Sequence, residues 1–157
     1  MTYHAIGSVD NDMLRAIVDC LAGSYGDPML LRITSDGGDP DIALAIVSLI
    51  RNYPGELTTE VHGCCYSAAV LIFAAGTKRR MSKYGWALVH EGSDNVEGNS
   101  TAIKNRAKQM ERDEAAWNII MEEFTGTDRK TWEKLNERDT YLNAEECLKL
   151  NLCTEIF

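Results

Sequence analysis

The chain has 157 residues, 45% of them hydrophobic, enough for one packed core, and carries a formal net charge of −8 at neutral pH. Its 24 acidic and 16 basic residues are spread along the chain, which argues against a nucleic-acid surface or an anionic membrane as partner. No apolar run approaches the ~20 residues that cross a bilayer and no signal peptide is visible, so a cytoplasmic protein is expected.

Residues 6–9 read as the end of a short first strand. Asp10 or Asn11 then caps a helix on which Met13, Leu14, Ile17, Val18 and Leu21 recur at helical spacing. Residues 23–28 break it. Residues 29–34, Met-Leu-Leu-Arg-Ile-Thr, are short and mostly apolar, as in a strand covered on both faces. They run into Ser35-Asp36-Gly37-Gly38. Asp39-Pro40 reads as an N-cap followed by proline at the first helical position, opening a helix with Ile42, Ala45, Ile46, Leu49 and Ile50 on its buried side. Pro54-Gly55 turns the chain into a third strand, residues 57–62, which the pattern ends at Gly63. A tight loop leads to Ser67, and residues 68–75 are apolar throughout, as in a helix buried on all sides.

Strand and helix thus alternate three times, which implies right-handed crossovers and a largely parallel sheet. The loops at 36–38 and 63–67 then fall at the carboxyl ends of neighbouring strands, the edge where open α/β sheets bind ligands. Ser67 and Gly37-Gly38 are therefore expected close together. A serine just before a helix has two roles open to it. Its hydroxyl caps the free N–H groups of the first turn, or it is a nucleophile whose oxyanion those N–H groups and the helix dipole would hold.

Beyond Gly76, Lys78-Arg79-Arg80 reads as a solvated turn. Residues 86–89 form a strand that delivers His90 at its end. Residues 91–100 are polar, a flexible loop or an exposed edge strand. Residues 101–124 form a long amphipathic helix, with Ile103, Ala107, Met110, Ala115, Trp117, Ile120 and Met121 among its apolar positions. A short helix is expected at 128–135, and Asn143-Ala144-Glu145-Glu146 has the form of a capping box opening the last helix. Residues 152–156 would be a final strand. Without repeat or linker, residues 1–157 are expected to form a single domain. The five cysteines, at 20, 64, 65, 147 and 153, lack the spacing of a zinc site or redox pair and are expected to be reduced thiols. Neither metal nor cofactor is expected.

Ser67, His90 and Asp139 each sit at the end of an element. A serine hydroxyl attacks poorly unless a base takes its proton, and a carboxylate commonly orients that base. Of the three histidines, His4 lies in the N-terminal segment and His62 is five residues before Ser67, where it could line the cleft. Among 24 acids, composition does not choose. The residues by themselves lead to an α/β protein with a candidate serine site.

The segments I-T-S-D-G-G at 33–38, G-C-C-Y-S-A-A at 63–69, A-A-G-T-K-R-R at 74–80, L-V-H at 88–90 and D-T-Y-L-N-A-E-E-C at 139–147 together resemble the ClpP family, the proteolytic subunits of Clp peptidases. The resemblance covers nearly the whole chain. It implies a crotonase-like α/β fold of repeated β-β-α-type units, with a mostly parallel sheet and a protruding handle over about 91–124. It implies Ser67 as nucleophile, His90 as general base and Asp139 as acid, with the backbone N–H groups of Gly38 and Ala68 as oxyanion donors. An extended substrate would lie between the segment after Gly38 and the segment after His90, contacted by Gly37, Asp39, Glu91 and Gly92.

The chain departs from the family pattern at several points. Asp36 stands where the family has proline, which puts an extra carboxylate near the oxyanion site and disfavours acidic substrates. Tyr66 and Ala69 flank the nucleophile, Glu91-Gly92 follows the histidine, and His62 occupies a usually apolar position. The family's first helix and axial loops have no counterpart, so a Clp-type ATPase partner is doubtful. The expectation is an ATP-independent serine endopeptidase, a compact phage-like member, that cuts peptides or unfolded polypeptide inside a self-compartmentalised homo-oligomer. Resemblance implies seven-subunit rings stacked in pairs, a tetradecamer. The alternatives are a non-catalytic ClpP-like ring subunit and an acyl-CoA enzyme of the crotonase-like group, which the order serine, histidine, aspartate disfavours.

Overall fold

The computed structural model describes residues 1–93 and 95–157. In chain order the elements are β1 (Thr2–Ile6), α1 (Asn11–Gly23), β2 (Met29–Ser35), α2 (Pro40–Arg51), β3 (Leu57–Tyr66), α3 (Ala68–Ala74), β4 (Lys78–Met81) and β5 (Trp86–Val89). They continue with α4 (Ser100–Thr125), α5 (Arg129–Asn136), β6 (Thr140–Asn143), α6 (Ala144–Lys149) and β7 (Glu155–Ile156). The main sheet runs β1-β2-β3-β4-β7, parallel throughout. β5 joins it in parallel beside the end of β3, and β6 pairs antiparallel with β5.

β3 organises this arrangement because it changes partners along its length. Residues 58–61 pair with β4, whereas residues 64–66 pair with β5. Against β2, Val61 faces Ile33 but Cys65 faces Ser35, so β3 spends four residues where β2 spends two. The strand bulges around Gly63 and continues; it does not end there in a loop. A bulge of this kind re-aims a strand, and here it delivers Tyr66 directly to Ser67.

Three helix starts follow from local chemistry. Asp10 Oδ1 accepts from the N–H groups of Asp12 and Met13, and Asp39 Oδ1 does the same for Asp41 and Ile42. Asn143 and Glu146 close a reciprocal capping box. Each such cap contributes about 1 kcal/mol. α3 has every residue buried, packed against α2, β3 and α4. Trp132 is also fully buried, its Nε1–H donating to Thr125 Oγ1 at 3.2 Å.

Several expectations need correction. Val9 is not part of a strand; it forms an isolated bridge to Gly38. The buried face of α2 is Ala43, Ile46, Val47 and Ile50, a phase shifted from the one expected, because both α1 and α3 contact it. β6 went unforeseen, since four residues are too few for an alternation to show, and β7 is shorter than expected. No regular structure occurs among the described residues of 91–99; Asp94, within the expected loop, lies outside the described residues. Lys78-Arg79-Arg80 is strand β4, not a solvated turn. Arg79 is buried and donates to the carbonyls of Gly76, Asn151 and Leu152. The five cysteines are free, and burial pushes the Cys65 and Cys147 thiols up and that of Cys153 to about 11, so these three stay protonated. Among the described residues, no helix is long and apolar enough to cross a membrane.

The sheet also holds a buried charge. Glu60 on β3 is 2% exposed and accepts from Arg32 Nε at 2.8 Å, His62 Nε2 at 2.7 Å and Arg80 Nη1. Burial raises its pKa, but the hydrogen bonds from His62 and Arg32 and the charges of Arg80 and Arg32 outweigh that, and the net shift is downward. A depressed carboxylate stabilises the fold above its unfolded value of about 4.3 and loses that contribution as pH falls through the lower folded value. The gap in urea midpoint between wild type and Glu60→Gln should therefore be widest near neutrality and close as the solution is acidified below about pH 4. A gap independent of pH would show that the ionised network does not stabilise the fold.

Candidate active site

Strand register brings the three distant candidate residues together. Tyr66 pairs with Leu88, and Ser67 N–H donates to Leu88 C=O at 2.8 Å, so Ser67 stands beside the end of β5. Val89 pairs with Thr140 in the antiparallel β5–β6 ladder, which makes His90 and Asp139 the next opposed pair beyond it. The turn before β6 is tied down as well: Glu91 N–H donates to Asn136 C=O at 3.0 Å, and Thr140 Oγ1 donates to Leu135 C=O at 2.7 Å.

Ser67 Oγ lies 2.8 Å from His90 Nε2, the spacing of a hydroxyl donating to an imidazole. Ser67 occupies the N-cap position of α3, yet its side chain makes no cap hydrogen bond. Its backbone explains why: at φ 54° and ψ −126° the residue is outside the extended conformation in which a cap side chain folds over the first turn. A positive φ at a residue with a Cβ is strained, at a cost on the order of 1–3 kcal/mol, and here the strain turns the hydroxyl toward the histidine. Of the two roles open to this serine, capping is the one the geometry rejects.

Asp139 is held less tightly. Its Oδ1 is 3.7 Å from His90 Nδ1, beyond hydrogen-bond distance, and its side chain is 71% exposed against 27% for His90. A movement of under 1 Å would close the contact, and catalytic hydrogen bonds often shorten when substrate binds.

The backbone of the glycine pair is held by Val9. Val9 N–H donates to Gly37 C=O at 2.8 Å, and Asp39 N–H donates to Val9 C=O at 2.9 Å. The two bonds flank Gly38 and leave its own N–H outside the ladder. Ala68 opens α3, so its N–H has no carbonyl within the helix to bond. Both glycines are required by close approach. A Cβ on Gly37, at φ 97°, would sit 2.7 Å from Ser67 Cβ, and one on Gly38, at φ 151°, would sit 2.5 Å from Val9 O.

Ser67, Ala68, Gly38 and His90 share a cleft of about 430 Å³ with Glu91, Gly92 and one face of α4. A larger concavity of about 790 Å³ runs along α5 past Asp139 and Tyr141, but neither Ser67 nor His90 lines it, so the candidate serine and histidine belong to the smaller one. Four sequence expectations do not fit the cleft. Gly37, expected to contact substrate, is buried and outside its lining. Asp39 is outside it: its N–H is taken by Val9 and its carboxylate caps α2. Asp36 is also outside, exposed, accepting from Cys64 Sγ at 3.5 Å. His62 faces Glu60 and the Phe157 ring, 5.2 Å away, and not the cleft.

Other cleft residues were not read as site residues from the sequence: Leu71, Glu114 and Asn136, together with Met110 and Trp117, which were read only as apolar positions of the long helix. A signal was present, because Ala107, Met110, Glu111, Glu114 and Trp117 recur at intervals of three, one, three and three, a single helix face. The face mixes apolar and acidic residues, so hydrophobic periodicity alone passed over its glutamates.

A Clp protease family model matches residues 6–157. The chain is 34% identical over 133 residues to the ATP-dependent Clp protease proteolytic subunit 2 of Treponema denticola, a match covering 82% of this chain and 66% of that protein. It thus spans just under two thirds of that relative's length. The backbone is similar to that of the ClpP1 N165D mutant from Listeria monocytogenes, with a TM-score of 0.91, 21% identity, and coverage of 99% of this chain and 90% of that one. This second likeness is one of fold.

Proposed function

Because the chain belongs to the Clp protease family, we propose that it is a serine endopeptidase acting on peptides or unfolded polypeptide, with Ser67, His90 and Asp139 as its catalytic residues. The observation that carries this reading is the Ser67 hydroxyl, turned away from a helix cap it was placed to make and set 2.8 Å from His90 Nε2.

The chemistry follows from the positions. Ser67 Oγ attacks the scissile carbonyl carbon as its proton passes to His90 Nε2. The resulting oxyanion is held by the N–H groups of Gly38 and Ala68, at the positive end of α3. His90 then delivers the proton to the leaving amine nitrogen, the C–N bond breaks, and an acyl-serine remains. A water molecule, deprotonated by the same imidazole, hydrolyses that ester and returns Ser67 to its starting state. Asp139 stabilises the imidazolium formed in each half. The substrate backbone lies extended between the segments following Gly38 and His90, where main-chain bonds supply affinity. The working form is read as a self-compartmentalised homo-oligomer of stacked rings, in which the exposed first half of α4 makes contacts between rings.

Fluorophosphonate labelling with peptide mapping tests the assignment. The adduct is expected on Ser67. A folded assembly that takes no label and turns over no peptide would instead be a non-catalytic subunit. The geometry also sets the size of one mutant effect. Where the acid is buried and bonded to the imidazole, its replacement by asparagine costs about 10⁴ in kcat. Asp139 is exposed and further away, so Asp139→Asn should lower kcat by a smaller factor, on the order of 10², with KM little changed. A loss as large as that of the serine variant would show that the contact tightens fully in the working assembly.

A further inference from the structure

One wall of the cleft is the face of α4 that carries Met110, Glu114 and Trp117, and Asn136 at the end of α5 adjoins it. Two polar groups of this wall lack a donor. Asn136 is 2% exposed; its Nδ2 donates to Asn118 Oδ1 at 2.8 Å, but its own Oδ1 is buried with no hydrogen-bond partner among the described residues. Glu114 is half-buried and, among the described residues, makes neither a hydrogen bond nor an ion pair. Burial and the negative charges of Glu91 and Glu133 all oppose its ionised form and push its carboxyl up. Glu91 and Glu111 also line the cleft, while Asp113 is engaged by Gln109 Nε2 at 2.7 Å, and Arg106 is the only guanidinium among the described lining residues. Leu71, Met110 and Trp117 supply apolar surface to the same cleft. Such a cleft disfavours an acidic side chain, which would add a like charge without giving the buried acceptor a donor. An aliphatic side chain would cover the apolar surface but leave both acceptors unsatisfied, and a buried acceptor without a donor is costly to keep.

We propose that the cleft selects, at the residue contributing the scissile carbonyl, a side chain with an apolar stem and a cationic tip, lysine or arginine, with Glu114 as its counter-ion and Asn136 Oδ1 as a hydrogen-bond acceptor. This specificity rests on the serine-peptidase reading above. The stem lies along Met110 and Trp117 while the ammonium or guanidinium reaches the two acceptors, the division of labour long cationic side chains make elsewhere. A charge-assisted hydrogen bond to Glu114 is the strong element, and it depends on a partner that brings a positive charge.

The test uses fluorogenic peptides identical except at the residue before the cleaved bond: lysine, arginine, methionine or glutamate. Wild-type kcat/KM is expected to be about tenfold higher for lysine and arginine than for methionine, and about a hundredfold higher than for glutamate. Glu114→Gln should lower the lysine-to-methionine ratio by at least about fivefold, whereas a purely structural role would slow both peptides together and leave the ratio unmoved. Glu114→Lys provides a second variant, in which preference passes to the glutamate peptide. The same peptides, labelled for anisotropy and bound to Ser67→Ala, read the cleft without catalysis. A wild type that cuts nothing while the Ser67→Ala protein still prefers lysine would sink the peptidase reading and keep the specificity. Methionine bound and cut as well as lysine, or a ratio that ignores the charge at 114, would overturn the specificity itself.

Discussion

Ser67→Ala is expected to lower kcat toward a fluorogenic peptide by on the order of 10⁶, leaving the residual rate that oxyanion stabilisation and binding provide. The expectation rests on the pairing of its hydroxyl with His90 Nε2 at 2.8 Å: without the oxygen, the imidazole has no proton to accept and no nucleophile to activate. Stability supplies an independent readout. Ser67 sits at φ 54°, and alanine inherits the strain because it keeps a Cβ. Glycine does not. Ser67→Gly should therefore be as inactive as Ser67→Ala but more stable to denaturant, by about 1 kcal/mol. The two variants separate chemistry from conformation, since both remove the nucleophile and only one relaxes the backbone. Equal stabilities would mean that the strained turn is not maintained in solution, and near-normal turnover by either variant would remove Ser67 from the mechanism.

The second large effect is expected at Gly37. A methyl group there would lie 2.7 Å from Ser67 Cβ and 2.8 Å from the Tyr66 carbonyl oxygen, and the backbone, at φ 97°, would also be unfavourable. Neither neighbour is the loose end of a side chain, so the glycine loop or the serine turn must shift. A displacement of about 1 Å at a reacting group costs roughly 10² in rate, which sets the expected loss in kcat for Gly37→Ala. The accompanying loss of stability should be about 1–3 kcal/mol. Because the Val9 bonds to either side hold Gly38 in place, a shift of this loop also moves the N–H group proposed as an oxyanion donor. Rate and stability should therefore fall together. Wild-type kcat in Gly37→Ala would show that the loop does not set the position of the nucleophile.

These two sites differ in how far they could be read from the chain. Asp10 and Asp39 as helix caps, proline at the first position of α2, the Asn143–Glu146 capping box and the fully buried α3 were all legible, because each depends on residues within four positions of one another. The alternation of strand and helix, and with it the parallel sheet, is equally a local record, since period and turn chemistry need no partner. Resemblance added the family, through motifs spread from residue 33 to residue 147.

What the chain did not show depends on partners distant in sequence. Lys78-Arg79-Arg80 has the composition of a surface turn, and two of the three carbonyls that accept from the buried Arg79 lie more than seventy residues away. Gly63 has the look of a strand end, but β3 continues because β5 takes over as its neighbour. Asp36 sits beside the glycine pair in sequence, and the fold turns it away from the cleft toward Cys64, twenty-eight residues on. Residue type and spacing placed a serine before a helix and left its purpose open. The direction of its hydroxyl was decided by tertiary structure, because the backbone angle at Ser67 and the register of β5 against β3 are set by packing, and a side chain's hydrogen bond goes to whichever partner that packing brings within reach.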